Sequence, residues 1–299
     1  MSQDKLEEFL ARRRKWIECL NKDDPNSVVR QLYRMNWNAT VFAVLNRTRA
    51  LAPPDPERGR QQSPLIGEFI DSLFQLEQAV AIRRMVDTGG RRRSYLRTDG
   101  SFDVYSLGAI ITDMKENRRL FTRTVLLAAD AAEVGVTTPD VLSSWNRNQI
   151  NRAVDRMADV SASRRSPVDT VRATVFDCLL GRLARASKKF VTYSDKFIAH
   201  AASEESRRRT RADSIRFSIA DFWRAHEELC RVANFVSGHF LTGATYSFMP
   251  YAHGDQFKYM DRPFVKRSEI PLLHDFWYAR QEKVNSWSGI DLDELLGRR

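Results

Sequence analysis

Apolar residues recur every three or four positions along most of this sequence, which is the period that lets an α-helix bury one face. Residues 214–241 show it most clearly, with one stripe made of Ile219, Phe222, His226, Leu229, Ala233, Val236 and Phe240. The helix breakers Gly and Pro number only 13 and 10 among 299 residues. Together, the period and the scarcity of breakers predict an all-α protein.

Short interruptions of this period predict where the helices begin and end. We expect helices over residues 4–21, 28–51, 65–87, 103–129, 168–202, 214–241 and 270–284, with sparser apolar positions over 138–161. A Pro- and charge-rich loop at 52–64 and a Gly- and Arg-rich break at 89–101 separate some of them. The pattern predicts one helical body over 1–241 and an irregular tail over 242–299 that packs on it.

The tail is rich in Gly, Pro and aromatic residues and has no sustained period. We expect its aromatic side chains to pack the tail against the body rather than to stack on nucleic-acid bases. The residues concerned are Phe276, Trp277, Tyr278 and Trp287.

Positive charge is in excess, with 48 Lys and Arg against 38 Asp and Glu, for a net charge of +10. Such a balance favours acidic partners, RNA among them. The sequence begins without a signal peptide, and it contains no apolar run long enough to span a membrane. We therefore expect a cytoplasmic protein that has no membrane partner.

Metal and cofactor chemistry lack their usual local patterns. Cys19, Cys178 and Cys230 are far apart in the sequence and are expected to be reduced, buried thiols. The short run HGD at 253–255 is too small for a metal site, and no phosphate-binding loop, zinc-protease, serine-hydrolase or EF-hand motif occurs. We expect no metal and no cofactor.

The stretch YSDKFIAHA, residues 193–201, contains one of the five histidines of the chain. In an α-helix Lys196 and His200 would share a face, since they are four positions apart. A histidine with a pKa near ~6.5 exchanges protons at cellular pH, and a cation beside it binds phosphate. This pair suits phosphodiester chemistry.

Within this stretch, SDKFIAH resembles the HEPN superfamily (higher eukaryotes and prokaryotes nucleotide-binding), in particular its abortive-infection U-type branch. That branch carries an arginine, a polar residue, four further residues and a histidine. The resemblance covers about residues 25–240, and its specific part is the motif. It implies an antiparallel HEPN-like helical bundle with extra helices, metal-independent cleavage of RNA, a homodimer, and a setting of anti-phage defence or toxin–antitoxin pairing with an antitoxin-like protein.

Residue by residue, the resemblance gives His200 the role of general acid or base and makes Asp195 the polar residue of the motif. The arginine has no counterpart, because the matching positions hold Tyr193, Ser194 and Asp195. Lys196 supplies a charge nearby without the planar fork of arginine. Two functions therefore stay open: a protein that binds or cleaves RNA, and a catalytically degenerate module that binds a protein or nucleotide partner.

Further basic residues have two interpretations each. Arg207, Arg208, Arg209 and Arg211 follow Glu204 and Glu205. They form either a solvated helix face with internal ion pairs or a track for an RNA backbone. Arg91, Arg92 and Arg93 lie beside Tyr95 on a loop, which either contacts nucleic acid or only aids solubility. His226 is expected to be a core histidine whose hydrogen bonds are satisfied.

Overall fold

The fold is taken from a computed structural model of the 299-residue chain. It describes residues 3–51, 64–88, 104–133, 144–199, 202–249, 255, 257–258, 266–287 and 289–298.

Within these ranges the chain is built mainly from α-helices, and no β-strand occurs there beyond one isolated bridge between Thr122 and Thr170. The helices are α1 (Gln3–Asn21), α2 (Val28–Leu51), α3 (Pro64–Val86), α4 (Leu107–Glu116), α5 (Arg123–Glu133), α6 (Ser144–Ala158), α7 (Ala173–Tyr193), α8 (Glu204–Thr210), α9 (Ile219–Phe240), α10 (Ile270–Asn285) and α11 (Leu292–Leu295). The all-α prediction is confirmed.

Several predicted helix bounds are confirmed to within a residue or two, namely those of α1, α2, α3 and α10. The single helix predicted over 103–129 is wrong, because the chain turns between α4 and α5. At that turn Asn117 donates from its backbone N and from Nδ2 to the carbonyl oxygen of Asp113, at 3.0 and 2.8 Å. A 3₁₀ turn over Arg118–Leu120 follows. The apolar period continues across the turn, so the sequence gives no sign of it.

Helix α9 lies in the core, and α2 and α7 are its main packing neighbours. Its first turn is closed by a capping box, in which the side chains of Ser218 and Asp221 each accept a hydrogen bond from the other residue's backbone N–H. Because α9 is covered on several sides, its buried residues extend beyond the predicted stripe and include Cys230, Val232, Asn234, Phe235 and Ser237.

Phe121, fully buried in the turn before α5, joins four neighbouring aromatic rings into one cluster. Its ring centroid lies 5.3–5.5 Å from those of Phe9, Trp16, Phe176 and Phe240. These rings come from α1, α7 and α9, so burial of this one side chain fixes three helices against the α4–α5 turn.

The chain before α7 is held by Arg123, a 5%-exposed residue of α5. Its guanidinium donates to Asp155 of α6 at 2.8 Å and to Asp169 at 2.7 Å. Since Asp169 is fixed in this way, the segment ahead of Ala173 stays non-helical. The predicted helix over 168–202 therefore begins five residues later than expected.

Helices α3 and α4 approach each other closely at Gly108. A Cβ atom at this position would lie 2.6 Å from the carbonyl oxygen of Val86 and 2.7 Å from that of Asp87. Ser106 caps α4 through a hydrogen bond from Ala109 N and donates to the Asp87 oxygen. This contact fixes the C-terminal end of α3, the end that carries Arg83.

The predicted packing of the tail aromatics is confirmed for Trp277 and Trp287, which are 2% and 3% exposed. Trp277 makes an edge contact with Trp37 of α2 at 5.2 Å between ring centroids. Phe276 also packs against the core. For Tyr278 the prediction is wrong, because this residue is 53% exposed and its ring contacts His274 of the same helix.

All three cysteines are free thiols, as predicted, with Cys19 and Cys230 buried and Cys178 only partly so. In the described ranges, none of the helices has the length and apolar character needed to cross a membrane.

Candidate nucleic-acid interface

The motif segment does not continue α7 as an α-helix. After Tyr193 the chain widens into a π-helix over Ser194–Ala199. The segment is then closed by a hydrogen bond from Ala202 N to the carbonyl oxygen of Lys196 at 2.9 Å. Helices of this kind are rare and occur often at functional sites. We call Ser194–Ala199 the motif segment.

Asp195 of the motif segment contacts an arginine that sequence reasoning missed. Arg83, from the last turn of α3, donates from Nε to Asp195 Oδ1 at 2.6 Å. Its NH1 also lies 3.8 Å from Asp87. A guanidinium thus stands at the motif, although none occurs at the positions expected within it. The two residues are 112 positions apart in the chain, so no local signal could have linked them.

Lys196 reaches in another direction, to α8, where its Nζ donates to Ser206 Oγ at 2.8 Å. The adjacent residues Asp195 and Lys196 therefore engage two different helices, α3 and α8. Both charged side chains of the motif segment have partners inside the protein.

Arg207 of α8 borders the motif segment on the same side as Lys196. It donates from Nε to Asp213 at 2.8 Å and from NH1 to the carbonyl oxygen of Ala202 at 2.6 Å. Its guanidinium carbon lies 5.7 Å from the centroid of the Phe197 ring, which is 38% exposed. Arg207 thus combines a structural hydrogen bond with a position beside an exposed aromatic ring.

The other arginines of α8 form the internal ion pairs that one interpretation of the sequence expects. Arg208 pairs with Glu204 and Arg209 with Glu205, each at i, i+4 spacing on an exposed surface. Arg211 ends the helix in a left-handed conformation with φ of 53°. Exposed pairs of this kind contribute little to stability. A role of these residues in binding RNA stays a prediction.

Aromatic rings pack beneath the motif segment. Tyr193 lies 5.0 Å from both Phe197 and Phe217, and Phe217 stacks on Phe190 at 4.9 Å. Phe190 is buried, whereas Phe197 is the most exposed ring of this group. The cluster thus holds Phe197 at the surface, where its ring packs against Tyr193 on the side that faces the protein.

His226 is buried in α9, as predicted, with an exposed fraction of 0%. The expectation that its hydrogen bonds are satisfied is wrong, since neither ring nitrogen has a partner. Burial, and then the nearby charge of Arg280, lower the pKa of His226 to about 3. Arg280 itself packs over Trp223, with its guanidinium carbon 3.8 Å from the ring centroid. His226 is therefore a neutral core residue and takes no part in the candidate interface.

Several predicted site residues lie outside the described ranges, namely His200, Arg91, Arg92, Arg93 and Tyr95. Among the residues that are described, no group of three or more His, Cys, Asp and Glu side chains is arranged to hold a metal ion.

Comparison of the chain with models of protein families, with curated proteins and with solved structures produced no match.

Proposed function

We propose that this chain is a HEPN-like protein that binds RNA at the motif segment. The observation that carries the proposal is that three cations from three elements lie in or against the motif segment: Arg83 of α3, Lys196 of the segment itself and Arg207 of α8. Such clustering beside an exposed aromatic ring suits a phosphate backbone with unpaired bases.

Arg83 bears on the resemblance to HEPN proteins directly. Its guanidinium meets the polar residue Asp195 of the motif at 2.6 Å. It can therefore serve as the arginine that the motif lacks, supplied from a helix far away in the sequence. A guanidinium offers two parallel N–H donors to a phosphate, which the ammonium of Lys196 does not.

We extend the proposal to cleavage without a metal, with His200 as the general acid or base. The reaction class follows from the resemblance, in which a histidine exchanges a proton with the ribose 2′-hydroxyl or with the leaving oxygen. Asp195 then orients Arg83 rather than taking part in proton transfer.

The second candidate is a catalytically degenerate module that binds a protein or nucleotide partner. One observation favours it: Asp195 and Lys196 are both engaged inside the protein, by Arg83 and Ser206. Charges already paired in this way have to exchange partners before they can act on a substrate.

Binding and cleavage of a labelled RNA oligonucleotide separate the two candidates. RNA binding through phosphates weakens steeply with added salt, whereas a packed protein interface does not. Lys196→Ala should weaken binding, and the loss should shrink as salt rises. Cleavage should persist in EDTA, and His200→Ala should lower its rate by about 10²- to 10⁴-fold while binding survives. Salt-independent binding would contradict the RNA proposal, and cleavage unchanged in His200→Ala would contradict the catalytic extension.

A further inference from the structure

A second concentration of positive charge lies beside the motif segment, in a groove of about 540 Å³ between α7 and α9. We call it the basic groove. Its charged lining residues are Arg182, Arg185 and Lys189 of α7 and Asp221, Arg224 and Glu228 of α9.

Ion pairs cross the basic groove near both ends and show that the two helices are antiparallel. Lys189 contacts Asp221 at 3.0 Å, and Arg182 contacts Glu228 at 2.8 Å. Seven helical positions separate Lys189 from Arg182, a distance of about 10 Å at 1.5 Å per residue. The groove is thus a track along α7 rather than a point site, and it runs toward the motif segment.

Cations outnumber carboxylates in the groove, and each carboxylate is already shared. Asp221 accepts from Lys189 and from Arg224, and Glu228 accepts from Arg182. Burial raises the pKa of Asp221, but hydrogen bonds from Ser218, Lys189 and Arg224 lower it more, so it stays well below its usual range. Asp221 therefore stays charged at neutral pH. The four cations of the lining, of which Arg182 is also paired with Glu294, still outnumber the carboxylates.

Arg185 stands at the middle of the track without a hydrogen bond or ion pair to any residue in the described ranges. Its NH1 lies over Gly181, where a Cβ atom would be only 3.3 Å away. The missing side chain at Gly181 leaves room for the guanidinium, and Ala186 and Ala225 keep the groove wall low beside it. An exposed planar fork in such a setting can bind a phosphate through two N–H donors.

The motif end of the groove leads to the aromatic cluster. Lys189 lies 5.1 Å from the centroid of the Phe217 ring. From Phe217 the contacts continue through Tyr193 to the exposed ring of Phe197, at 5.0 Å each. A chain with phosphates in the groove would therefore present its next base near Phe197.

We infer that the basic groove holds the backbone phosphates of single-stranded RNA, and that an unpaired base of the same strand stacks on Phe197. This inference rests on the proposed function and specifies its substrate. Single-stranded RNA fits because its base faces are free to stack on an aromatic ring, whereas those of an A-form duplex are covered.

The test uses the full chain, a fluorescein-labelled single-stranded oligouridylate, and a duplex RNA of the same length, with binding followed by anisotropy over a series of KCl concentrations. Arg185→Gln should weaken binding of the single strand about fivefold at low salt. It should also reduce the salt slope of log K by about 0.7, the value for one lost phosphate contact. Phe197→Ala should weaken binding about tenfold and leave the slope unchanged.

Matched controls are Arg14→Gln, an exposed arginine of α1, and Phe69→Ala, a 63%-exposed ring near the start of α3. Both should bind as the wild type does, and circular dichroism should show all four variants folded. If Arg185→Gln keeps the wild-type affinity and salt slope while Lys196→Ala binds more weakly, the basic groove does not hold RNA phosphates. The proposed function would still stand in that case. Equal affinity for the duplex, with no effect of Phe197→Ala, would overturn the single-strand assignment. Failure of the wild type to bind either RNA would remove the proposed function and this inference together.

Discussion

Arg83 and Asp195 join α3 to the motif segment through a hydrogen bond of 2.6 Å between Nε and Oδ1. The two side chains are 35% and 36% exposed, so water screens their attraction and the pair adds little to the stability of the fold. Its importance lies in position, because it places a guanidinium at a segment that lacks one of its own.

Substitution of the two partners should change RNA affinity in opposite directions. Asp195→Asn removes the carboxylate that competes with phosphate for Arg83, so we expect binding a few-fold tighter; Arg83→Gln removes the cation itself, so we expect weaker binding. Anisotropy titrations at fixed salt measure both. Weaker binding in both variants would contradict this expectation. It would show that the Asp195 carboxylate supports RNA binding, either by contacting the RNA or by holding Arg83 in place.

The same two substitutions form a double-mutant cycle for stability. We expect a coupling free energy of about 0.5 kcal/mol from urea unfolding, as for other half-exposed ion pairs. A coupling above about 2 kcal/mol would mean that the pair is a structural element of the fold rather than a movable contact.

The sequence predicts most of the helices because each one shows its buried face locally. α2 and α10 were expected at 28–51 and 270–284 and are found at Val28–Leu51 and Ile270–Asn285. The turn at Asn117 was missed because apolar spacing continues through it, and the late start of α7 was missed because Arg123, distant in sequence, holds Asp169. The spacing of apolar residues alone carries no information about contacts between residues that are distant in the sequence.

The candidate interface was only partly predictable for the same reason. The stretch containing Asp195 and Lys196 is visible in the sequence, but its π-helical form and its contact with Arg83 depend on packing against α3 and α8. The basic groove also escapes sequence reasoning, since it arises only when α7 and α9 lie side by side.

Gly108→Ala should destabilise the protein by about 1–3 kcal/mol, because its Cβ would meet rigid backbone atoms at Val86 and Asp87. Gly238→Ala in α9 is the matched control, with no atom within 4 Å of the added Cβ. There we expect a gain of about 0.5–1 kcal/mol from reduced chain entropy and better helix propensity. Thermal or urea unfolding measures both. Equal effects at the two positions would show that α3 and α4 can separate without cost.

Arg123→Leu should cost about 3–5 kcal/mol, because it leaves Asp155 and Asp169 without the cation that both contact. Arg119→Gln provides the comparison: Arg119 is 57% exposed and pairs with Glu8, and its loss should cost less than about 1 kcal/mol. Urea unfolding at neutral pH gives both values. A small loss in Arg123→Leu would indicate that water or Arg165, which also contacts Asp155, replaces the missing guanidinium.

His226 should make the protein less stable in acid. Its pKa is lowered to about 3 in the folded state by burial and then by Arg280, and it returns to the ordinary histidine value of 6.5 on unfolding. Between these values the unfolded chain binds a proton that the folded protein does not, so the free energy of unfolding falls as pH is lowered. The contribution is about 1.4 kcal/mol for each pH unit below 6.5, or about 2 kcal/mol at pH ~5.

His226→Leu isolates this contribution. Neither ring nitrogen of His226 has a hydrogen-bond partner, so an apolar side chain of similar size should change stability little above pH ~7. Below pH ~6.5 the variant should become progressively more stable than the wild type. Carboxylates titrate in both proteins, so their effects cancel in the difference between the two free energies of unfolding. Urea unfolding of the two proteins at a series of pH values gives that difference directly. A difference that stays constant with pH would mean that the imidazole gains a proton in the folded state as easily as in the unfolded one, and that Arg280 and the core around it accommodate a second positive charge.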